Sequence, residues 1–204
     1  MRTVLLTGFE PFDQDSVNPS WEAARRLDGF KIDEQVTIVA RRLPCAFTTA
    51  GECLVKLIEE LRPAMVIATG LATGRSEISI ERVAININDA RIPDNLGEQP
   101  VDTAVVAGGP AAYFSTLPIK AMVRAVREAG IAASVSQTAG TFVCNQVFYR
   151  LQHVLTGSEV RSGFIHVPSQ SSMALPTLVD GLRSAVSAAW NTPVDVVEGG
   201  GQVS

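Results

Sequence analysis

The chain has 204 residues, 46% hydrophobic and 19% charged, enough for one well-filled core and short for two. Its 17 basic and 21 acidic residues are spread along the sequence and leave a net charge of -4, so there is no electrostatic footprint for nucleic acid or an anionic membrane. Three cysteines, an odd number at no metal-like spacing, argue against a disulfide framework or a zinc site and favour the reducing cytoplasm.

The first predicted element is the strand "RTVLLTGF", whose apolar run stops at Gly8 and Pro11 and is too short for a signal peptide. Asn18-Pro19 then supplies a cap and a first-turn proline for the helix "SWEAARRLDG". The strand "VTIVARRL", the helix "FTTAGECLVKLIEELRP" and the strand "AMVIATGL" follow. After an interruption come the helix "PIKAMVRAVREAG", which ends on Gly130, the strand "AASVSQTA", a helix beginning near residue 143, the strand "SGFIHV" and the helix "LVDGLRSAVSAAW". No window is long enough to span a membrane. The tail at 197–204, "EGGGQVS" with the preceding Val, reads as frayed. Strands alternating with helices predict a single α/β domain over 1–204: a three-layer sandwich with a mostly parallel, twisted sheet and helices on both faces.

The interruption is "EISIERVAININDARIPDN". Ile78 and Ile80 alternate in one phase, and Val83, Ile85 and Ile87 in the other, which predicts an extra β-hairpin near residues 76–88 with a bulge or bend at Glu81 and Arg82. A bend of this kind re-aims side chains, while a lone Glu in a strand is otherwise a solvated charge.

Three cysteines and two histidines allow six pairings. Cys53 shares a helix face with Leu57 and reads as core, and Cys45 sits in a loop where it could line a cleft. Cys144 follows Gly140, which permits a sharp turn, and Thr141, a potential cap. It therefore falls in the first helical turn, where unpaired N–H groups and the dipole favour a thiolate. His153, nine residues later, projects from roughly the opposite side of that helix. His166 ends a strand before Pro168, at the edge where ligand crevices form in open α/β sheets. Cys144 and His166 can meet there as nucleophile and base. The alternative is a packed cysteine and a merely hydrogen-bonded histidine.

On these residues the chain resembles the pyroglutamyl peptidase I family of cysteine peptidases. The likeness runs through "VLLTGFEPFDQDSVNPSWEAARRL", "ERVAININDARIPDNLGEQP", "FSTLPIKAMVRAVREAGIAASVSQTAGTFVCNQVFY" and "GFIHVP". The resemblance implies a phosphorylase/hydrolase-like fold and release of an N-terminal pyroglutamyl residue from peptides. It implies Cys144 as nucleophile, His166 as base and Glu81 as the carboxylate that orients it. Arg91 and the Cys144 backbone N–H would hold the oxyanion, and Phe9, Phe12, Leu71, Ile92, Phe142 and Val143 would form the substrate pocket. No metal or organic cofactor is implied, and the family's habit suggests a homotetramer, with the apolar "AAYFSTLP" as a candidate interface.

The chain departs from the family pattern in places. "GLATGR" stands where Gly-Gln-Ala-Gly-Gly-Arg is usual, so Leu71 can contribute only its backbone carbonyl. "SQSSMALP" replaces the usual segment after the histidine, and Gln137 and Gln146 stand where Asn and His are common. Two rivals remain at this stage: a binding protein without catalysis, and a nucleoside-phosphorylase-like enzyme, for which "GLATGR" is the sole glycine-rich candidate cradle.

Overall fold

The computed structural model describes residues 2–13 and 15–201. Strand β1 (Arg2–Phe9) buries its last six residues in succession, as a strand covered on both faces must. It pairs in parallel with β2 (Val36–Leu43) and with β3 (Met65–Leu71), and β3 pairs in parallel with β8 (Arg161–Val167). Beyond β8 lies β4 (Ile78–Glu81), antiparallel to β8 and parallel to the edge strand β7 (Ala133–Ser136). The order is β2-β1-β3-β8-β4-β7.

Successive strand residues point to opposite faces, and two cores result. Val4, Leu6, Ile67 and Ile165 pack with helices α1 (Pro19–Arg26), α3 (Ile119–Glu128) and α5 (Leu175–Asn191). Leu5, Val66, Ala68 and Phe164 pack with α2 (Phe47–Leu61) and α4 (Val143–Val154). Both faces of the sheet carry helices, and none of the described helices is long and apolar enough to cross a membrane.

Local signals account for several ends. Asn18 Oδ1 accepts from Ser20 N at 3.1 Å, with Pro19 as the first helical residue of α1. Gly130, at φ 77°, lies just past α3 in the left-handed region that glycine enters without penalty. Helix α2 has no side-chain cap of its own; Asp94 Oδ2, 47 positions away, accepts from Phe47 N at 2.7 Å. Of the tail expected to fray, residues 202–204 lie outside the described residues. Asp195, just before it, accepts from Lys120 N and Ala121 N at the start of α3, and Gly199–Gly201 line a cleft with Lys120 and Val135.

The expected hairpin within 76–88 is built differently. The first phase, Ile78–Glu81, enters the main sheet, whereas the second forms β5 (Val83–Ile85), antiparallel to β6 (Ala112–Phe114) in a separate ribbon. The phase slip marks the crossing from one sheet to the other: Ile78 and Ile80 are buried in the main sheet, whereas in the ribbon Val83 and Ile85 are half-buried, Ile87 is exposed and Ala84 packs into the core. Strand β6 was not among the expected elements; with only three residues it has too short a pattern to read.

Candidate active site

Helix α4 begins at Val143, and Cys144 lies in its first turn, as the spacing predicts. Gly140 takes φ 76°, a left-handed turn that swings the chain from β7 into the helix. Thr141 does not cap: its Oγ1 donates to Asp89 O at 2.8 Å, and Asp89 N donates to Thr141 O at 3.0 Å. The residue at the cap position is Phe142, which supplies no side-chain bond, so the first-turn N–H groups keep their capacity to hold an anion. Next to Cys144, buried Asn145 accepts from Ile85 N and donates to Ile85 O and Ile87 O, fixing the exit of β5 to the helix.

His166 stands near the carboxyl end of β8 and is 4% exposed. Its register partner on β3 is Gly70. A Cβ at Gly70 would lie 2.6 Å from Cys144 Sγ and 2.9 Å from Phe164 Cζ, so only a glycine leaves room for the thiol beside the histidine's strand. On the other side of β8, Glu81 Oε1 meets His166 Nδ1 at 2.7 Å. Glu81 is wholly buried, so this contact replaces its water. With Nδ1 so engaged, Nε2 is the nitrogen left for proton exchange.

A cavity of about 300 Å³ opens over Cys144 and His166. Phe9, Phe12, Leu71, Ile92 and Phe142 line it, together with Arg91. The Phe142 ring packs against Phe12 at 5.1 Å and against Phe47 at 5.0 Å, so the rings form a connected aromatic wall. Val143 departs from expectation: it is fully buried in the core shared with α2 and is not part of the cavity lining. Arg91 forms no ion pair among the described residues, and the nearby Asp94 carboxylate accepts from Phe47 N, Leu96 N and Glu98 N. Gln146 donates to Phe47 O and Gln137 accepts from Arg82 Nε.

Burial raises the Cys144 thiol above its ordinary pKa; Cys45 and Glu81 add to the rise, while Arg75 and a backbone hydrogen bond oppose it. The helix start alone was expected to favour a thiolate. Burial opposes that pull, which gives a base beside the sulfur a role in taking its proton. Cys45 also lines the cavity, and burial, helped by Glu10 and Asp94, pushes its pKa up to about 12.

One charged residue of the site was not singled out from sequence. Arg75 Nη1 lies 2.6 Å from Glu81 Oε1. Its signal in the sequence is the arginine that closes "GLATGR", whose partner Glu81 lies on the next strand. Among the described residues no group of three or more His, Cys, Asp or Glu is placed to hold a metal ion.

The family model described as pyroglutamyl peptidase matches residues 2–192. A pyrrolidone-carboxylate peptidase of Pseudomonas fluorescens is 76% identical over the whole of both chains, and one of Cupriavidus necator is 60% identical over the same span. Among solved structures, pyroglutamyl peptidase I of Bacillus amyloliquefaciens superposes with a TM-score of 0.92 at 42% identity, covering 97% of this chain and 99% of the other. The pyrrolidone carboxyl peptidase of Thermococcus litoralis gives 0.89 at 37% identity, covering 94% of each.

Proposed function

Because the chain belongs to the pyroglutamyl peptidase family, we propose that it removes an N-terminal L-pyroglutamyl residue from peptides through a thioester on Cys144. The observation that carries this is the short Glu81–His166 contact in the wall of the cavity that also holds the Cys144 thiol.

His166 Nε2 takes the proton from Sγ as the sulfur attacks the carbonyl that follows the lactam ring. The carbonyl oxygen gains the negative charge, which the Cys144 N–H and the Arg91 guanidinium meet. The C–N bond then breaks, and the imidazolium returns its proton to the departing amine. Water, deprotonated by His166, attacks the thioester, releases 5-oxoproline and restores the thiol. Glu81 holds the imidazole ring in one orientation and balances its charge while it carries the extra proton.

The neutral lactam suits a slot walled by Phe9, Phe12, Ile92 and Phe142, and the Leu71 carbonyl accepts from the lactam N–H. An open-chain glutamyl group would bring an unpaired ammonium and carboxylate into the same slot, which is costly to bury. The enzyme acts as a single domain and without a metal or organic cofactor. It is cytoplasmic, a location that suits three free cysteines, two of them around the site. It assembles as a homotetramer, in which the ribbon strand bearing Phe114, 69% exposed, is a candidate contact. A monomer in sedimentation at micromolar concentration would rule that assembly out.

The test is release of a fluorophore from a pyroglutamyl amide by the reduced protein, beside a glutamyl amide. Release from the closed ring alone is the expected outcome. Equal release from both would overturn the lactam specificity, and none from either would overturn the peptidase.

A further inference from the structure

Glu81 Oε1 receives two groups at once, His166 Nδ1 at 2.7 Å and Arg75 Nη1 at 2.6 Å. Oε2 of the same carboxylate is buried and makes no hydrogen bond among the described residues. A wholly buried carboxylate beside a neutral imidazole would be an uncompensated charge, and it would draw a proton onto the pair. Arginine stays charged at every working pH, so Arg75 compensates Glu81 in both states of the imidazole. The guanidinium has a second bond: Nη2 donates to Thr138 O at 2.8 Å. Thr138 stands at the start of the segment that turns at Gly140 into Cys144's helix, and its own Oγ1 accepts from Gly140 N. One side chain, 27% exposed, thus spans the loop after β3, the carboxylate on β4 and the approach to α4.

The geometry points to Arg75 as a positioning residue for the reaction proposed above. It sets a positive charge against the Glu81 oxygen that His166 meets, and it ties the base's carboxylate to the segment that carries the nucleophile. The charged and titratable groups facing the pair are Arg75 from the β3–β4 loop, Cys144 from α4 and Glu81 itself on β4. Cys45, Arg91, Asp13 and Asp15 lie around the cavity. Arg75 contributes in one direction only: its positive charge and its hold on Oε1 both oppose proton uptake by the pair. Its removal therefore moves the pair's protonation to higher pH.

The chain has only two histidines, so both imidazoles can be followed by NMR titration, with His153 as an internal control. In Arg75→Gln the His166 midpoint should rise by about one pH unit relative to the unsubstituted protein, with His153 unmoved. The acid limb of kcat/KM on a pyroglutamyl amide should rise with it. In Arg75→Lys, which keeps the charge but cannot make both bonds at Arg75's geometry, the midpoint should stay within a few tenths of a unit. Its kcat should fall several-fold with little change in KM. An unmoved His166 midpoint in Arg75→Gln, or an equal shift in the lysine variant, would overturn the inference. If Arg75→Gln does not fold, Arg75→Lys decides alone, since a moved midpoint or an unchanged kcat would each contradict it. The imidazole titration reads without turnover, so a failure of the peptidase reading would show in the activity arm and not in this one.

Discussion

A histidine Nδ1 meets an oxygen near each end of helix α4, His166 from strand β8 and His153 from the helix itself. At the amino end His166 meets Glu81 at 2.7 Å, and at the carboxyl end His153 meets Tyr113 Oη at 2.8 Å. The distances barely differ, yet the surroundings do. His166 is buried against a carboxylate in the wall of the cavity that also holds a thiol, whereas His153 is exposed, with Tyr149 stacked 6.3 Å away. A hydrogen-bonded imidazole becomes a base only where a nucleophile, a charge partner and excluded water converge. The amino end also offers N–H groups without a side-chain cap, which the carboxyl end cannot.

The comparison breaks most readily on the side chains themselves. Cys144→Ala and His166→Ala should each lower kcat/KM on a pyroglutamyl amide by about a thousandfold or more, while His153→Ala stays within about twofold. Comparable losses at both histidines, in proteins shown to be folded by circular dichroism, would erase the distinction between the two ends.

A finer test uses the glycines. A Cβ at Gly70 must displace the Cys144 sulfur or β3, and a shift near 1 Å costs on the order of a hundredfold in rate. Gly70→Ala should therefore cut kcat strongly. Gly157, beyond the other end of α4 at φ 77°, has nothing within 4 Å of an added Cβ. Gly157→Ala should lower stability by about 1 kcal/mol and leave kcat alone, read by urea unfolding beside steady-state kinetics.

A further test is alkaline. In the fold Cys45 holds its proton up to about pH 12, while an unfolded thiol releases it near 8.5. Above that pH the unfolded chain binds fewer protons than the folded one, so stability falls as pH rises from about 8.5 towards 12. Cys45 should account for about 2 kcal/mol of the loss between pH 7 and pH 10, and urea unfolding of Cys45→Ala should show a decline shallower by that amount. Parallel declines would mean that the mouth of α4 does not bury this thiol.

Much of the amino end was legible because its signals are local. Gly140 and the start of α4 placed Cys144, and Pro168 placed His166 at a strand end. The nine-residue spacing removed His153. The change of phase at Glu81 and Arg82 was legible as well, although its partners were not: a period-2 pattern says which residues share a face and is silent on which strand they meet. Hence one expected hairpin became a strand of the main sheet and a strand of a separate ribbon. Thr141 reads as a cap from its position alone, and only a carbonyl 52 residues away, that of Asp89, draws it elsewhere.

By itself, then, the sequence determined the alternation of strands and helices, the first-turn position of the thiol and the strand-end position of the imidazole, since each depends on neighbours within a turn or two of the chain. The tertiary structure alone decided that Gly70 makes room for the sulfur and that Arg75 shares an oxygen of Glu81 with His166. It decided too that burial raises the Cys144 thiol pKa, opposing the pull of the helix start. Close approach and desolvation arise from segments far apart in sequence, and no local pattern encodes them.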